Sequence, residues 1–146
     1  MRALEASAVL AATAALAAAG CGGDEGPTRE EFVNEANAIC ERHTANIERA
    51  ASKVLGGGQL PSREEFGRLA RETIIPEVRQ MFDELRDVEP PEELEEGYDE
   101  LLQSGEETVQ RMEQNPSTIT SAANFQELNR DVDELGLSRA CRVGPD

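Results

Sequence analysis

Apolar residues recur every three to four positions along most of this chain, a spacing that is typical of amphipathic helices. No stretch alternates strictly between apolar and polar residues in the way that a half-buried strand does. The pattern predicts four helices joined by short connections, and short connections make neighbouring helices antiparallel. We therefore expect an all-α protein whose helices form an up-down four-helix bundle.

The first predicted helix begins at Thr28, because residues 28–31 (Thr-Arg-Glu-Glu) have the form of a capping box. In that motif the threonine oxygen accepts a hydrogen bond from a free backbone N–H, and the glutamate accepts one from the threonine amide. Three glycines at positions 56–58 end the helix. Its apolar stripe consists of Phe32, Ala36, Ile39, Cys40, His43, Ile47, Ala50 and Val54.

The second predicted helix begins with another capping box at residues 62–65 (Ser-Arg-Glu-Glu). Pro76 falls within its apolar stripe, and proline lacks a backbone N–H while its ring clashes with the preceding turn. We expect one helix with a kink near residues 73–75 instead of two separate helices. The stripe consists of Phe66, Leu69, Thr73, Ile74, Val78, Met81, Phe82, Leu85 and Val88.

The third predicted helix begins at Pro90-Pro91 and ends at Asn115, and the fourth runs from about Ser117 to a helix-ending Gly136. Their stripes consist of Leu94, Tyr98, Leu101, Leu102, Val109 and Met112, and of Ile119, Ala122, Phe125, Leu128, Val132 and Leu135.

Two glycines, Gly97 and Gly105, lie near the stripe of the third helix. Each costs about 1 kcal/mol relative to alanine in a helix interior. We expect them to allow a neighbouring helix to approach closely.

The N-terminal region carries an apolar run at residues 9–19, about the length of a signal-peptide core and shorter than the roughly twenty residues that span a membrane. Residues 16–21 (Leu-Ala-Ala-Ala-Gly-Cys) resemble the lipobox of bacterial lipoproteins. In that family a diacylglyceryl group alkylates the cysteine, and a peptidase cuts just before it. Two other interpretations are a secretory signal cut after Ala19, and an alanine-rich helix of the fold.

The lipobox resemblance implies a leader at residues 1–20, a lipidated tether at residues 21–28 and a helical domain at residues 29–146. It also implies a diacylglyceryl anchor on Cys21 and a location on the outer face of the bacterial cytoplasmic membrane. Each buried methylene contributes about 0.8 kcal/mol, so two acyl chains hold a protein stably where one does not. The tether extends at most about 25 Å, which keeps the domain close to the bilayer.

Charge narrows the range of partners. The 146 residues include 30 acidic and 14 basic ones, for a net charge of −16. Nucleic acid requires a basic face, and anionic lipid attracts basic residues, so we expect neither to bind through charge. The simplest interpretation of the acidity is a solubilising surface, and the other is a surface for a cationic partner.

With Cys21 lipidated, Cys40 and Cys141 remain as an even pair in a chain routed outside the cytoplasm. We therefore predict a disulfide that ties the first helix to the C-terminal region. A redox or metal-binding pair is the competing interpretation, but neither cysteine belongs to a Cys-x-x-Cys motif.

Four short motifs, at residues 36–40 (Ala-Asn-Ala-Ile-Cys), 74–76 (Ile-Ile-Pro), 90–92 (Pro-Pro-Glu) and 136–141, resemble small α-helical lipoproteins of high-GC Gram-positive bacteria. That resemblance supports the helical fold, the anchor and the cysteine pair. It implies no assigned activity and no functional residue.

His43 is the single histidine, which argues against zinc sites with several imidazoles and against paired Glu-x-x-His di-iron motifs. It is a candidate ligand-binding residue, although a partly buried, hydrogen-bonded histidine is the simpler interpretation. The acidic run at residues 92–100 is interpreted as a solvated helix face, with a calcium site as the alternative. No serine has an evident histidine–acid partnership.

These observations favour a non-enzymatic, lipid-anchored binding module that recognises a protein or another component of the cell envelope and carries no cofactor. The alternative is a small-ligand or metal-binding module with a pocket in the bundle near His43. An enzyme is disfavoured, because no pairing of nucleophile and base is evident.

Overall fold

The computed structural model describes residues 26–56 and 61–145, and all regular structure within these ranges is helical. The all-α prediction is therefore confirmed for this part of the chain. The predicted leader and Cys21 lie outside the described residues. The α-helices are α1 (Arg29–Leu55), α2 (Arg63–Leu69), α3 (Ile75–Leu85), α4 (Glu95–Gln114) and α5 (Gln126–Glu134), and short 3₁₀ turns cover Glu92–Leu94, Pro116–Thr120, Ala122–Phe125 and Arg139–Cys141.

Both predicted capping boxes are present. The amide of Glu31 donates to the hydroxyl of Thr28 over 3.2 Å, and the Thr28 amide donates to the Glu31 carboxylate over 2.9 Å. Ser62 and Glu65 make the same two bonds, of 3.2 and 2.8 Å, at the start of α2. Hydrogen bonds from the two cap residues lower the pKa of both glutamates. These local interactions fix where α1 and α2 begin.

Helix α2, a π-helical segment (Ala70–Ile74) and α3 form one uninterrupted helical run, as the sequence predicted. Its local irregularity is a widened turn, in which the Ile75 amide donates to the Ala70 carbonyl five residues earlier. Pro76 accounts for this turn, because its ring needs room and it has no N–H to donate. Helix α3 ends at Leu85, so Val88 is buried beyond the helix and not on it.

The fourth helix begins later than the sequence predicted. An α-helix forms only from Gln126, and the region from Ser117 onward consists of two 3₁₀ turns separated by an extended Ser121 (φ −123°, ψ 117°). Hydroxyl side chains here bond to nearby carbonyls, as Thr120 does to Ser117 over 2.8 Å, and such bonds compete with helix formation. Ala122 is exposed, so its assignment to the apolar stripe was wrong.

Gly136 ends α5 as predicted, with a positive φ of 75°. The Leu137 amide donates to the Val132 carbonyl over 3.1 Å, and the Gly136 amide donates to the Asp133 carbonyl over 3.0 Å. This pair of bonds is the Schellman motif, which favours glycine because only glycine adopts that backbone without strain. The chain therefore turns back towards α1 directly after α5.

The core forms where α1 packs against α3, α3 against α4, and α4 against α5. Phe32 of α1 and Tyr98 of α4 meet edge to face with ring centroids 4.8 Å apart. The Tyr98 hydroxyl donates to the Leu85 carbonyl, and burial, aided by the charge of Glu35, raises the pKa of Tyr98. Among the described residues, no helix is both long and apolar enough to cross a membrane.

The sequence predicted that Gly97 and Gly105 would allow a neighbouring helix to approach closely. The structure shows such an approach at Gly105, whereas the position of Gly97 has room for a larger side chain. A Cβ atom added at Gly105 would lie 2.3 Å from a ring carbon of Phe82, so the Phe82 ring of α3 packs directly against the backbone of α4 there. At Gly97 the nearest atom to an added Cβ is a methyl carbon of Leu135, 3.4 Å away.

Candidate functional site

The predicted cysteine pair joins α1 to the C-terminal part of the chain. The Sγ atoms of Cys40 and Cys141 lie 2.12 Å apart, at the distance of a disulfide bond, and the two residues are separated by 101 positions in sequence. Both side chains are buried. The pairing that the sequence suggested is therefore the one that the fold brings together.

Residues 137–145, called the C-terminal strap below, lie across α1 beside this pair. The Ser138 amide donates to the Asn37 side chain over 2.7 Å, and the Thr44 hydroxyl donates to the Ala140 carbonyl over 2.7 Å. These two polar contacts flank Cys40 on α1, so the strap is hydrogen-bonded on both sides of the sulfur bridge.

The same strap is also bound to α5. The Asn129 side chain donates to the Val143 carbonyl over 3.0 Å and accepts from the Val143 amide over 2.9 Å. One side chain therefore satisfies both backbone polar groups of Val143. Arg142 donates to Asp133 over 2.6 Å. The strap thus bridges α1 and α5, a connection that the apolar pattern did not predict.

His43 is buried, with 3% of its surface exposed, between α1 and α3. Its Nδ1 lies 2.7 Å from a carboxylate oxygen of Glu77, and its Nε2 lies 3.0 Å from one of Glu84. The two glutamates are seven positions apart on α3 and therefore share a helix face. Arg42 pairs with Glu84, and Asn46 donates to Glu77 over 3.1 Å.

Two carboxylates facing one imidazole constrain its chemistry. Both ring nitrogens must act as donors for both contacts to be hydrogen bonds. At Glu77, burial raises the pKa, but hydrogen bonds from His43 and Asn46 and the charges of His43 and Arg49 outweigh it and hold the pKa below its ordinary value. His43 is thus a buried, hydrogen-bonded histidine, which was the simpler interpretation of the sequence.

A cavity of about 270 Å³ opens near this cluster, between α1, the π-helical segment, α3, α4 and the C-terminal strap. Thr44 contributes to its wall, but His43, the preceding residue, does not. The structure therefore does not bring the predicted candidate residue into the pocket. The mainly apolar lining includes Ile47, Phe66, Ile74, Val78, Ile119 and Phe125.

Sequence reasoning missed the contribution of the strap, whose residues 142–145 form part of the wall. Gly144 has a φ of 86°, and a Cβ atom there would lie 2.1 Å from the Phe125 ring. The signal that marks this wall is the apolar pair Val143 and Pro145 around Gly144, two positions after Cys141.

The acidic run at residues 92–100 has exposed carboxylates, so its interpretation as a solvated face is confirmed. Within the described ranges, no three histidine, cysteine, aspartate or glutamate side chains are grouped so that they could hold a metal ion.

Comparison with protein-family profiles, with curated proteins and with solved structures found no match. Only the chemistry of this chain's own residues therefore bears on its function. The buried histidine cluster, the paired cysteines and the apolar cavity are its three distinctive features.

Proposed function

We propose that this protein is a lipid-anchored, extracytoplasmic helical module of the cell envelope that binds a partner and performs no catalysis. The observation that carries the proposal is the Cys40–Cys141 pair at bonding distance. Disulfide bonds persist outside the cytosol, where thiols are not kept reduced. A lipobox-like segment before the helical domain adds the means of attachment, and it favours the outer face of the bacterial cytoplasmic membrane.

The anchor would be a diacylglyceryl group on Cys21, the residue that follows the proposed leader at residues 1–20. Helix α1 is capped by Thr28, only seven positions later, so a tether of at most about 25 Å would separate the domain from the bilayer. A net charge of −16 opposes adsorption to anionic lipid, so attachment would depend on the acyl chains.

We also propose that α1, the α2–α3 run, α4 and α5 alternate up and down as a four-helix bundle. Contacts between successive helices and the short connection between α3 and α4 support this arrangement.

The alternative of a small-ligand or metal site beside His43 has less support. Both ring nitrogens of His43 already face glutamate oxygens, and the side chain does not line the cavity. A ligand at this histidine would have to displace one of the two carboxylates.

The anchor is tested by substituting Cys21→Ala in the native host and separating membrane from soluble fractions. We expect the wild type in the membrane fraction with a diacylglyceryl mass on Cys21, and the variant in the soluble fraction. Gly26→Ala is the matched control, because a Cβ atom at this tether position meets no other atom within 4 Å. If Cys21→Ala remains in the membrane fraction, the anchor proposal is wrong.

A further inference from the structure

The two halves of the C-terminal strap are held to the fold in different ways. Residues 137–141 include a 3₁₀ turn and are joined covalently to α1, through the bond between Cys141 and Cys40. Residues 142–145, called the lid below, contain no cysteine and form no helical turn. The first half therefore cannot leave α1 while the bond is intact, whereas the lid is held by non-covalent contacts.

One side chain of α5 holds the backbone of the lid. Asn129 donates to the Val143 carbonyl over 3.0 Å and accepts from the Val143 amide over 2.9 Å. Because both bonds depend on a single side chain, they form and break together. The lid also contributes the ion pair of Arg142 with Asp133, whose side chains are 33% and 53% exposed, and exposed pairs of this kind add little stability. Asn129 is therefore the main polar contact of the lid.

The lid buries little apolar surface. Val143 is buried, whereas Gly144 and Pro145 are exposed. Segments with few buried apolar contacts open locally, at a free energy below that of global unfolding. By this criterion the lid belongs to the least stable part of the described structure.

The closed position of the lid depends on a residue without a side chain. Gly144 has a φ of 86°, and a Cβ atom there would lie 2.1 Å from the ring of Phe125. That ring is buried, so the lid lies directly on it. All four residues of the lid contribute to the cavity wall, and the rest of the wall belongs to α1, Thr44 included, and to the other helical segments. Displacing the lid would therefore uncover the ring and widen the cavity without moving a helix.

We propose that the lid is a hinged closure of the cavity, which opens while the helical fold and the Cys40–Cys141 bond remain intact, and that Asn129 is its latch. The Arg142 amide donates to the Arg139 carbonyl over 3.1 Å, so the hinge lies in the backbone after this bond. This inference goes beyond the proposed function, since it depends neither on the anchor at Cys21 nor on an envelope partner.

Hydrogen exchange of two amides tests whether the lid opens by itself. Exchange is followed by NMR on ¹⁵N-labelled, oxidised full-length Cys21→Ala protein, between zero and about 1 M urea. Local opening exposes little surface, so we expect the rate of the Val143 amide to change by less than roughly twofold. The Ser138 amide lies in the half that is pinned to α1, and its rate is expected to rise at least roughly fivefold, because it exchanges only through larger unfolding. An equal rise at both amides would overturn the proposal.

The closed position is tested by Gly144→Ala, which places a Cβ atom against the Phe125 ring and leaves the side chain of Asn129 in place. We expect exchange of the Val143 amide to become at least roughly tenfold faster, because the lid no longer fits when closed. Gly136→Ala is the matched control in the pinned half of the strap, since its φ is also positive but an added Cβ atom meets nothing closer than 3.4 Å. The control is expected to change the same rate by less than roughly twofold. Equal rates in wild type and Gly144→Ala would refute the closure.

The latch is tested by Asn129→Ala, with a measurement that does not involve the two lost hydrogen bonds. That measurement is the nuclear Overhauser effect between Gly144 and the Phe125 ring, which reports how often the lid is closed. We expect its intensity to fall to less than roughly half of the wild-type value. Asn124→Ala is the control, because this exposed asparagine donates to the Thr118 carbonyl over 2.8 Å and does not contact the lid. Wild-type intensity in Asn129→Ala would show that Asn129 is not the latch.

Discussion

The carboxyl group of Glu77 titrates differently in the folded protein and in an unfolded chain. Its folded-state pKa lies below the ordinary value of 4.5, since contacts with His43 and Asn46 outweigh the effect of burial. A group whose folded pKa is lowered stabilises the fold above its unfolded pKa. That contribution is lost as the pH falls through the lower, folded value. The His43 cluster therefore makes the fold sensitive to acid.

We expect the free energy of unfolding of the wild type to decrease as the pH falls below about 4.5, and Glu77→Gln to lose part of this dependence. At neutral pH the variant is less stable, because His43 loses a charged partner. Urea denaturation between about pH 7 and pH 3 measures both effects, with Glu72→Gln as the control at an exposed position. Parallel pH profiles for wild type and Glu77→Gln would contradict this role.

The histidine cluster also shows what a sequence conceals at the scale of single residues. His43 stood on an apolar stripe, which correctly predicted its burial. Its partners Glu77 and Glu84 looked like any other acidic residues of a chain that has 30 of them. Only the packing of α1 against α3 selects these two, because their spacing places them together beside the imidazole.

At the scale of elements, the contact between α3 and α4 depends on the absence of one side chain. Gly105 is buried against the Phe82 ring, so any larger residue must push the two helices apart or displace the ring. Gly97, on the same helix, has ordinary space around it. Comparing the same substitution at Gly105 and at Gly97 therefore separates the effect of helix packing from that of helix propensity.

We expect Gly105→Ala to destabilise the protein by about 1–3 kcal/mol, because overpacking outweighs the gain in helix propensity. Gly97→Ala is the matched variant on the same helix, and it is expected to raise stability by up to about 1 kcal/mol. Chemical denaturation monitored by circular dichroism measures both. Equal changes of the same sign would show that the close approach at Gly105 has no energetic importance.

The elements that the sequence predicted well are those set by local interactions. The capping boxes at Thr28 and Ser62 and the glycine at Gly136 each involve residues within five positions of one another. The start of α5 was predicted nine positions too early, since an apolar residue at every third or fourth position also occurs in consecutive 3₁₀ turns. Side-chain hydroxyl groups in that region bond to backbone carbonyls and compete with α-helix formation. The apolar pattern does not reveal these bonds.

For the molecule as a whole, the Cys40–Cys141 bridge is a covalent link between residues 101 positions apart. A loop of about 100 residues is worth about 4.7 kcal/mol in the chain-entropy description, against typical total stabilities of about 5–15 kcal/mol. The cavity, in contrast, has walls from segments spread between Thr44 and Pro145, so no local pattern could have predicted it.

We expect the double substitution Cys40→Ala and Cys141→Ala to lower the free energy of unfolding by about 2–5 kcal/mol, because the unfolded chain regains the freedom that the bridge removes. Guanidinium denaturation of the oxidised protein, the reduced protein and the double variant measures the effect. Cys21→Ala is the control, as it removes a cysteine that takes no part in the bridge. Identical unfolding midpoints for the oxidised protein and the double variant would refute this contribution.

The C-terminal strap has a consequence for how the protein is made. During synthesis from the N-terminus, Cys40 emerges about a hundred residues before its partner, and Arg142 to Pro145 follow every other wall of the cavity. A nascent chain that has reached the end of α5 can form helices, but it has neither the sulfur bridge nor the complete wall of the cavity. The wall of the cavity is thus completed last, after the partner of Cys40 has been synthesised.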